Sequence, residues 1–338
     1  MKIIILSEGG SNIGFGHMAR CSSLYDCFER RGIKPNFIIN TDTGNDELLR
    51  GRNYEIVNWL KERKAIFKII KGADIAVIDS YLADLSFYGN LSRMVKVPVY
   101  IDDNKRLDYP AGIVVNSTAG AEEISYSRQR SIDLLLGSNY ALLRKEFWSA
   151  PKKTIRSRTR SVMTTFGGDD FRDMTPRVLS LLNREYPALL KYVIIGGGFK
   201  GSNIKKIEKM MNKNTRLIYR PSTKRMKEIM LMADLVVSAG GQTLYELARI
   251  GVPTIGICIA DNQRRNLRGL EEAGFLEYAG KWNDAKILNR LHGCIERLKD
   301  HRVRVRKSAI GRRAVDGKGS KRICDFILRR AQDAAGRT

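Results

Sequence analysis

Short apolar runs alternate with longer amphipathic stretches through the first half of the chain. Residues 3–6, 36–39, 75–78, 97–101 and 113–115 read as strands, and 17–31, 59–71 and 84–95 carry helical spacing between them. Strands that alternate with helices of this length form βαβ units and a parallel sheet. Residues 152–160, KKTIRSRTR, hold five basic residues and no apolar face, which reads as a surface connector. A second series of strands then follows at 161–166, 192–195, 215–218, 235–238 and 254–257. From about 283 onward the pattern is helical and basic. The expectation is α/β: two doubly wound Rossmann-like domains facing each other across a cleft. The first spans 1–150 and the second 161–338, basic tail included, with a basic linker at 151–160. Ligands of such sheets sit at the carboxyl ends of the strands, so the site is expected in the cleft.

The length of 338 residues suits two such domains. With 43% hydrophobic and 28% charged residues, composition excludes disorder. The first apolar run is too short for a signal peptide, and no stretch reaches the 18 or so apolar residues of a membrane span. Five scattered cysteines without a CxxC pair predict reduced thiols and a cytoplasmic protein. Only the charge is unusual. There are 60 Lys and Arg against 36 Asp and Glu, a net +24, which implies attraction to nucleic acid, a membrane surface or a phosphorylated small molecule. No basic ribbon interleaved with aromatics appears, so nucleic acid is not expected. The excess concentrates in the connector and in 297–338, where 14 basic residues face 4 acidic ones. This tail reads as a solvated helical face or a dock for an anionic surface.

Five motifs could carry chemistry. GSNIGFGH (10–17) follows the first strand and opens the first helix. Gly14 and Gly16 allow close backbone approach to a ligand, and free N–H groups at a helix start favour an anion. His17 in that position is either a general base or a residue that shapes the loop; Arg20, one turn on, reaches the same place or is solvated. The strand end at Asp79 and Tyr81 offers a hydroxyl to a sugar or a water, or packs Tyr81 under a loop. Asp102-Asp103 ends a strand in the same way. TTFGGDD (164–170) and the glycine triplet 196–198 are further strand-to-glycine turns, with Gly167 and Gly168 open to a phosphate or merely tight. In SAGGQTLYELARIGVPTIGICIADNQ (238–263), Gly240 and Gly241 free the backbone, and Gln242-Thr243 start a helix suited to a diphosphate. Glu246, one turn later, is placed to accept from both ribose hydroxyls or to close a capping box. No cluster has metal-ligand spacing, so neither metal nor cofactor is expected.

These residues together resemble the PseG hydrolase family within the MurG-like GT-B superfamily. The resemblance rests on GSNIGFGHMARC, VIDSY, YIDDNKRLDYPAGIVVNST, LLGSNYALLRKEF, TTFGGDD, AGGQTLYELARIGVP, IADNQ and the closing VDGKGSKRI. It implies a metal-independent hydrolase that releases UDP from UDP-2,4-diacetamido-2,4,6-trideoxy-β-L-altropyranose in the pseudaminic acid pathway. His17 would be the catalytic base. Gly14, Gly16, Arg20, Tyr81 and Asn262 would line the sugar side. Gly167, Gly168, Gly240, Gly241, Gln242, Thr243 and Glu246 would hold UDP. A monomer acting on a UDP-sugar is implied. Asp169-Asp170-Phe171 stands where the family often has Ser-Asp-Pro, a departure that bears on the diphosphate contacts. A glycosyltransferase using the same nucleotide site and a non-catalytic basic binding module are the alternatives.

Overall fold

The apolar runs of the first half become the strands of one parallel sheet in the computed structural model, which describes residues 1–10, 13–42, 46–126 and 131–336. In chain order these are β1 (Ile3–Gly9), α1 (Gly16–Glu29), β2 (Asn36–Thr41), α2 (Asp46–Leu49), β3 (Tyr54–Ile56), α3 (Arg63–Ile70), β4 (Ile75–Asp79), α4 (Leu85–Met94), β5 (Val97–Ile101), β6 (Gly112–Asn116) and β7 (Ile132–Leu136). The sheet order is β3-β2-β1-β4-β5-β6-β7, with each neighbour parallel. Parallel strands covered by helices on both faces carry near-continuous apolar runs, and β1, β4 and β5 are buried at every position, the polar residues of β1 and β4 falling at their carboxyl ends.

The second series repeats the arrangement: β8 (Ser161–Thr165), α5 (Met174–Glu185), β9 (Leu190–Ile195), α6 (Gly201–Lys209), β10 (Thr215–Tyr219), α7 (Thr223–Met232), β11 (Leu235–Ala239), α8 (Thr243–Ile250), β12 (Thr254–Cys258), α9 (Arg264–Glu272), β13 (Leu276–Lys281), α10 (Ile287–Arg297) and α11 (His301–Ala314). Its order, β10-β9-β8-β11-β12-β13, is again parallel. Both sheets are doubly wound. The strands absent from the sequence reading, β3, β7 and β13, all lie at sheet edges. There one side needs no cover, so the apolar run is short or broken, as in the exposed β3.

The chain forms two units, Met1–Lys145 with Gly317–Thr338, and Glu146–Asp316. The last segment corrects the expectation that the second domain runs to 338. Helix α12 (Gly319–Ala335) belongs to unit 1, where Ile323, Cys324, Ile327 and Ala331 are buried and the helix packs on α1. Ser320 and Ser23 share a hydrogen bond of 2.6 Å, Arg31 pairs with Asp325, and Arg330 meets Asp133 at 2.7 Å. A Cβ on Gly319 would stand 2.2 Å from the Ala141 carbonyl oxygen, so the returning chain enters where a larger residue would clash.

The connector and tail are also less solvated than their charge implied. Lys153 is buried and donates to the Met230 and Leu231 carbonyls at the end of α7. Burial pushes its ammonium down to about 8, against the pull of Asp234. Arg156 pairs with Asp234 at 3.1 Å. From α11, the fully buried Arg304 donates to the Arg156 and Ser157 carbonyls, and Lys307 to those of Gly274 and Leu276. Residues 152–160 are therefore strapped onto unit 2. Their missing apolar face reflects cations that bond to carbonyls, a use that composition does not reveal.

Candidate active site

In unit 1, β1 and β4 are neighbours whose following helices lie on opposite sides of the sheet order, which opens a crevice at their carboxyl ends. Register brings Asp79, the last residue of β4, level with Ser7 of β1. After β1 the chain makes a loop closed by paired hydrogen bonds between Gly10 and Gly14, 3.1 and 2.8 Å long. Ser11 and Asn12 of the motif lie outside the described residues. Gly10 has φ +134°, and a Cβ there would stand 1.9 Å from Asp42 Oδ1, so this position needs glycine. The loop delivers Gly16 and His17 as the first two residues of α1.

His17 Nδ1 lies 2.5 Å from Asp79 Oδ1. Arg20 grips the same carboxylate as a fork, Nε to Oδ2 and Nη2 to Oδ1, both at 2.9 Å. Its other amino group pairs with Asp103, which in turn accepts from the Tyr81 hydroxyl. The Tyr81 ring stands edge-on to His17, with centroids 4.4 Å apart. His17, Asp79 and Arg20 are 3%, 1% and 7% exposed, so this network of alternating charge is largely withdrawn from water. Burial alone would disfavour a charged Asp79, but Arg20 and then His17 hold its carboxyl below the usual carboxylate range. Burial likewise opposes charge on Arg20, and Asp103 and Asp79 outweigh it.

This pairing determines the histidine tautomer. An ionised carboxylate only accepts, so Nδ1 must carry the proton donated to Asp79. Arg20 Nη2, 3.0 Å from Nδ1, is then a second donor converging on the same oxygen. The lone pair is left on Nε2, as proton abstraction requires.

Glu8 was missed by the sequence reading. Buried near the end of β1, it accepts from Ser80 Oγ at 2.6 Å and from the Tyr81 N–H at 2.5 Å. Ser80 Oγ in turn accepts from Leu82 and Ala83 N–H. These bonds fix the turn that holds Tyr81 over His17. The one available signal was an acid inside a strand that is otherwise buried. The adjacent Asp102 and Asp103 diverge: Asp103 joins the cluster, while Asp102 accepts from the Tyr126 hydroxyl and the Asn104 and Arg106 N–H groups. Among the described residues no three His, Cys, Asp or Glu side chains form a group able to hold a metal ion.

In unit 2 the corresponding crevice lies between β8 and β11. After β11 come Gly240 and Gly241, then Gln242 at the N-cap of α8. Thr243 opens the helix, and Glu246 is buried one turn in. The glycines separate into two groups. A Cβ on Gly14, Gly16, Gly167, Gly168 or Gly241 would meet nothing within 4 Å, whereas one on Gly240 would meet Gln263 Cβ and Leu267 Cδ1 at 2.7 Å. Gly240 thus lets α9 pack closely, and its N–H donates to Gln263 Oε1 at 3.0 Å. Gly196 similarly seats against the Gly168 backbone, so this first glycine of the triplet is a packing position, while Gly197 is not crowded. Asp170 caps α5, accepting from the Met174 and Thr175 N–H groups, and burial pushes its carboxyl up to about 6. Asn262 lies exposed in the turn after β12, in the other unit from His17, Arg20 and Tyr81.

Residues 164–310 match the Glycosyltransferase family 28 C-terminal domain. A UDP-2,4-diacetamido-2,4,6-trideoxy-beta-L-altropyranose hydrolase of Campylobacter jejuni is 24% identical over 289 residues, covering 82% of this chain and 99% of its own. The spore coat polysaccharide biosynthesis protein SpsG of Bacillus subtilis is 21% identical over 336 residues, 97% of this chain and 98% of its own. Among solved structures, Acinetobacter baumannii MurG superposes with a TM-score of 0.65 at 13% identity, over 97% of this chain and all of that one. The resemblance to the PseG hydrolases drawn from the sequence is borne out by a relative of that name, and the two Rossmann-like units share the GT-B fold of MurG.

Proposed function

We propose that the protein is a UDP-sugar hydrolase, acting on UDP-2,4-diacetamido-2,4,6-trideoxy-β-L-altropyranose with His17 as general base. The observation that carries the chemistry is the buried His17–Asp79 pair, which leaves Nε2 as the proton acceptor. The substrate is drawn from the C. jejuni relative's name and activity class. In this reading Nε2 takes a proton from water, the oxygen bonds to the anomeric carbon, and the bond from that carbon to the diphosphate oxygen breaks. UDP departs with its charge stabilised at the start of α8. The open glycines Gly167, Gly168 and Gly241, with Gln242 and Thr243, hold the diphosphate, and Glu246 takes the ribose hydroxyls. Gly240 supports that loop by its packing. Gly14 and Gly16 line the sugar side, where Arg20 and Tyr81 position the base. A single displacement by water, with no covalent intermediate, gives inversion at the anomeric carbon.

The experiment is UDP release from this sugar nucleotide without any acceptor, with the anomeric product followed by NMR. His17→Ala should bind UDP as the wild type does and lose turnover; full turnover in that variant sinks the assignment. The match to a glycosyltransferase domain supports a second reading, in which an acceptor hydroxyl replaces water. That reading predicts negligible UDP release until an acceptor is added.

A further inference from the structure

We infer that unit 2 carries a second anion site, separate from the α8 start, that takes a small phosphorylated ligand in a basic basin between α9, β13 and α10. The basin has a volume of about 520 Å³ and gathers Arg264, Arg268, Lys281 and Arg290 around Tyr278, with Asp284 as the acidic residue of its wall. This volume falls within the range of small-molecule sites. Three elements contribute the cations, so helical periodicity alone does not explain their convergence.

The argument rests on how this protein uses its other cations. Lys153, Arg304 and Lys307 are buried and bonded to backbone carbonyls. In the basin, Arg290 has Asp284 at 2.9 Å and Lys281 has Asp261 at 3.0 Å. The guanidinium groups of Arg264 and Arg268 make no ion pair or hydrogen bond among the described residues. They stand one helical turn apart, where like charges repel. Four cations face two carboxylates, Asp284 in the wall and Asp261 beside Lys281, which leaves a concave surface with net positive charge, and a bound phosphate group supplies the missing counter-charge. A concave site of this size suits a soluble ligand better than a flat membrane surface does. The inference goes beyond the hydrolase reading and does not depend on turnover.

The test is calorimetric titration of the full-length protein with inorganic pyrophosphate, in saturating UDP to keep the nucleotide site filled. Wild type should bind, and the double variant Arg268→Glu with Arg290→Ala should bind at least tenfold more weakly while UDP affinity and melting temperature hold. Arg302→Glu with Arg306→Ala, the same charge change on exposed positions of α11, should leave pyrophosphate affinity within about twofold, as expected of a local site. Equal weakening in both pairs would show diffuse attraction and overturn the proposal. So would the absence of pyrophosphate binding alongside Arg268-dependent sedimentation with phosphatidylglycerol vesicles.

Discussion

Asp79→Asn removes the charge that sets the His17 tautomer and changes little else in volume. An Asn side chain at this position can present its NH₂ group to Nδ1 and so favour the tautomer with its proton on Nε2. That imidazole cannot accept a proton from water at Nε2. General-base catalysis is worth about 10²–10⁴-fold, and the loss in kcat should fall in that range. The double variant with His17→Ala should be no slower than His17→Ala alone, because the two residues act as one unit. UDP affinity should stay within about twofold, since the residues proposed to hold UDP lie in unit 2.

The same substitution has a stability cost that structure bounds. Stripping one partner from a buried pair costs about 3–5 kcal/mol when the remaining charge is left alone. Arg20 keeps Asp103, so the loss should sit near the lower end, about 3 kcal/mol. The pH sign follows from the direction of the shift. Asp79 is held below its unfolded value, so its contribution is present above about pH 4 and is lost as pH falls through the lower folded value. Urea melts of wild type and variant should therefore differ at pH 7, begin to converge below about pH 4 and meet only once pH has fallen through the lower folded value. Steady-state UDP release gives the catalytic arm. Turnover within about threefold of wild type in a folded Asp79→Asn protein would refute the dyad.

The glycines give a paired prediction. Gly241→Ala meets open space and should keep its melting temperature while weakening UDP binding at least tenfold; Gly240→Ala drives a methyl into Gln263 and Leu267 and should cost about 1–3 kcal/mol in urea melts. Asp170 is an acid with a raised folded value, so stability should decline as pH rises from about 4 to about 6, by an order of about 3 kcal/mol. Asp170→Asn should flatten that slope in thermal melts across the interval. Truncation after Asp316 removes the burial of Ile323 and Ile327, each worth about 1.5–3 kcal/mol, and should leave unit 1 cleaved rapidly in limited proteolysis while unit 2 persists.

Central strands were legible because double-sided burial leaves a continuous apolar run, as in β1 and β4. Edge strands β3 and β13 were not, because one side of each faces away from the sheet. Within the site, His17, Arg20 and Tyr81 were marked by glycine turns and strand ends, and the structure brings these three together. Asp79 was visible only as a strand-end acid, and its pairing is a matter of β1–β4 register. Glu8 looked like an interruption in an apolar strand. Its role depends on Ser80 and Tyr81, more than 70 residues away. Gly240 and Gly241 are identical letters whose difference, packing against open space, exists only once α9 is placed.

The charge shows the same limit from another direction. A net +24 invites an external anion, yet a guanidinium or ammonium is also a multivalent donor, and every helix end leaves carbonyls that need donors. Lys153 at the end of α7 meets that need within unit 2, as does Arg312 at the Arg249 and Ile250 carbonyls that close α8. Arg249 itself donates to the Phe147 and Trp148 carbonyls. Such contacts require no acidic partner, so they raise the net charge without requiring an anionic ligand. The informative cations are then those that converge on one concave surface with neither carbonyl nor carboxylate to satisfy them, such as Arg264 and Arg268. For this chain, the arrangement of a few arginines around one concave surface says more about partners than the total charge does.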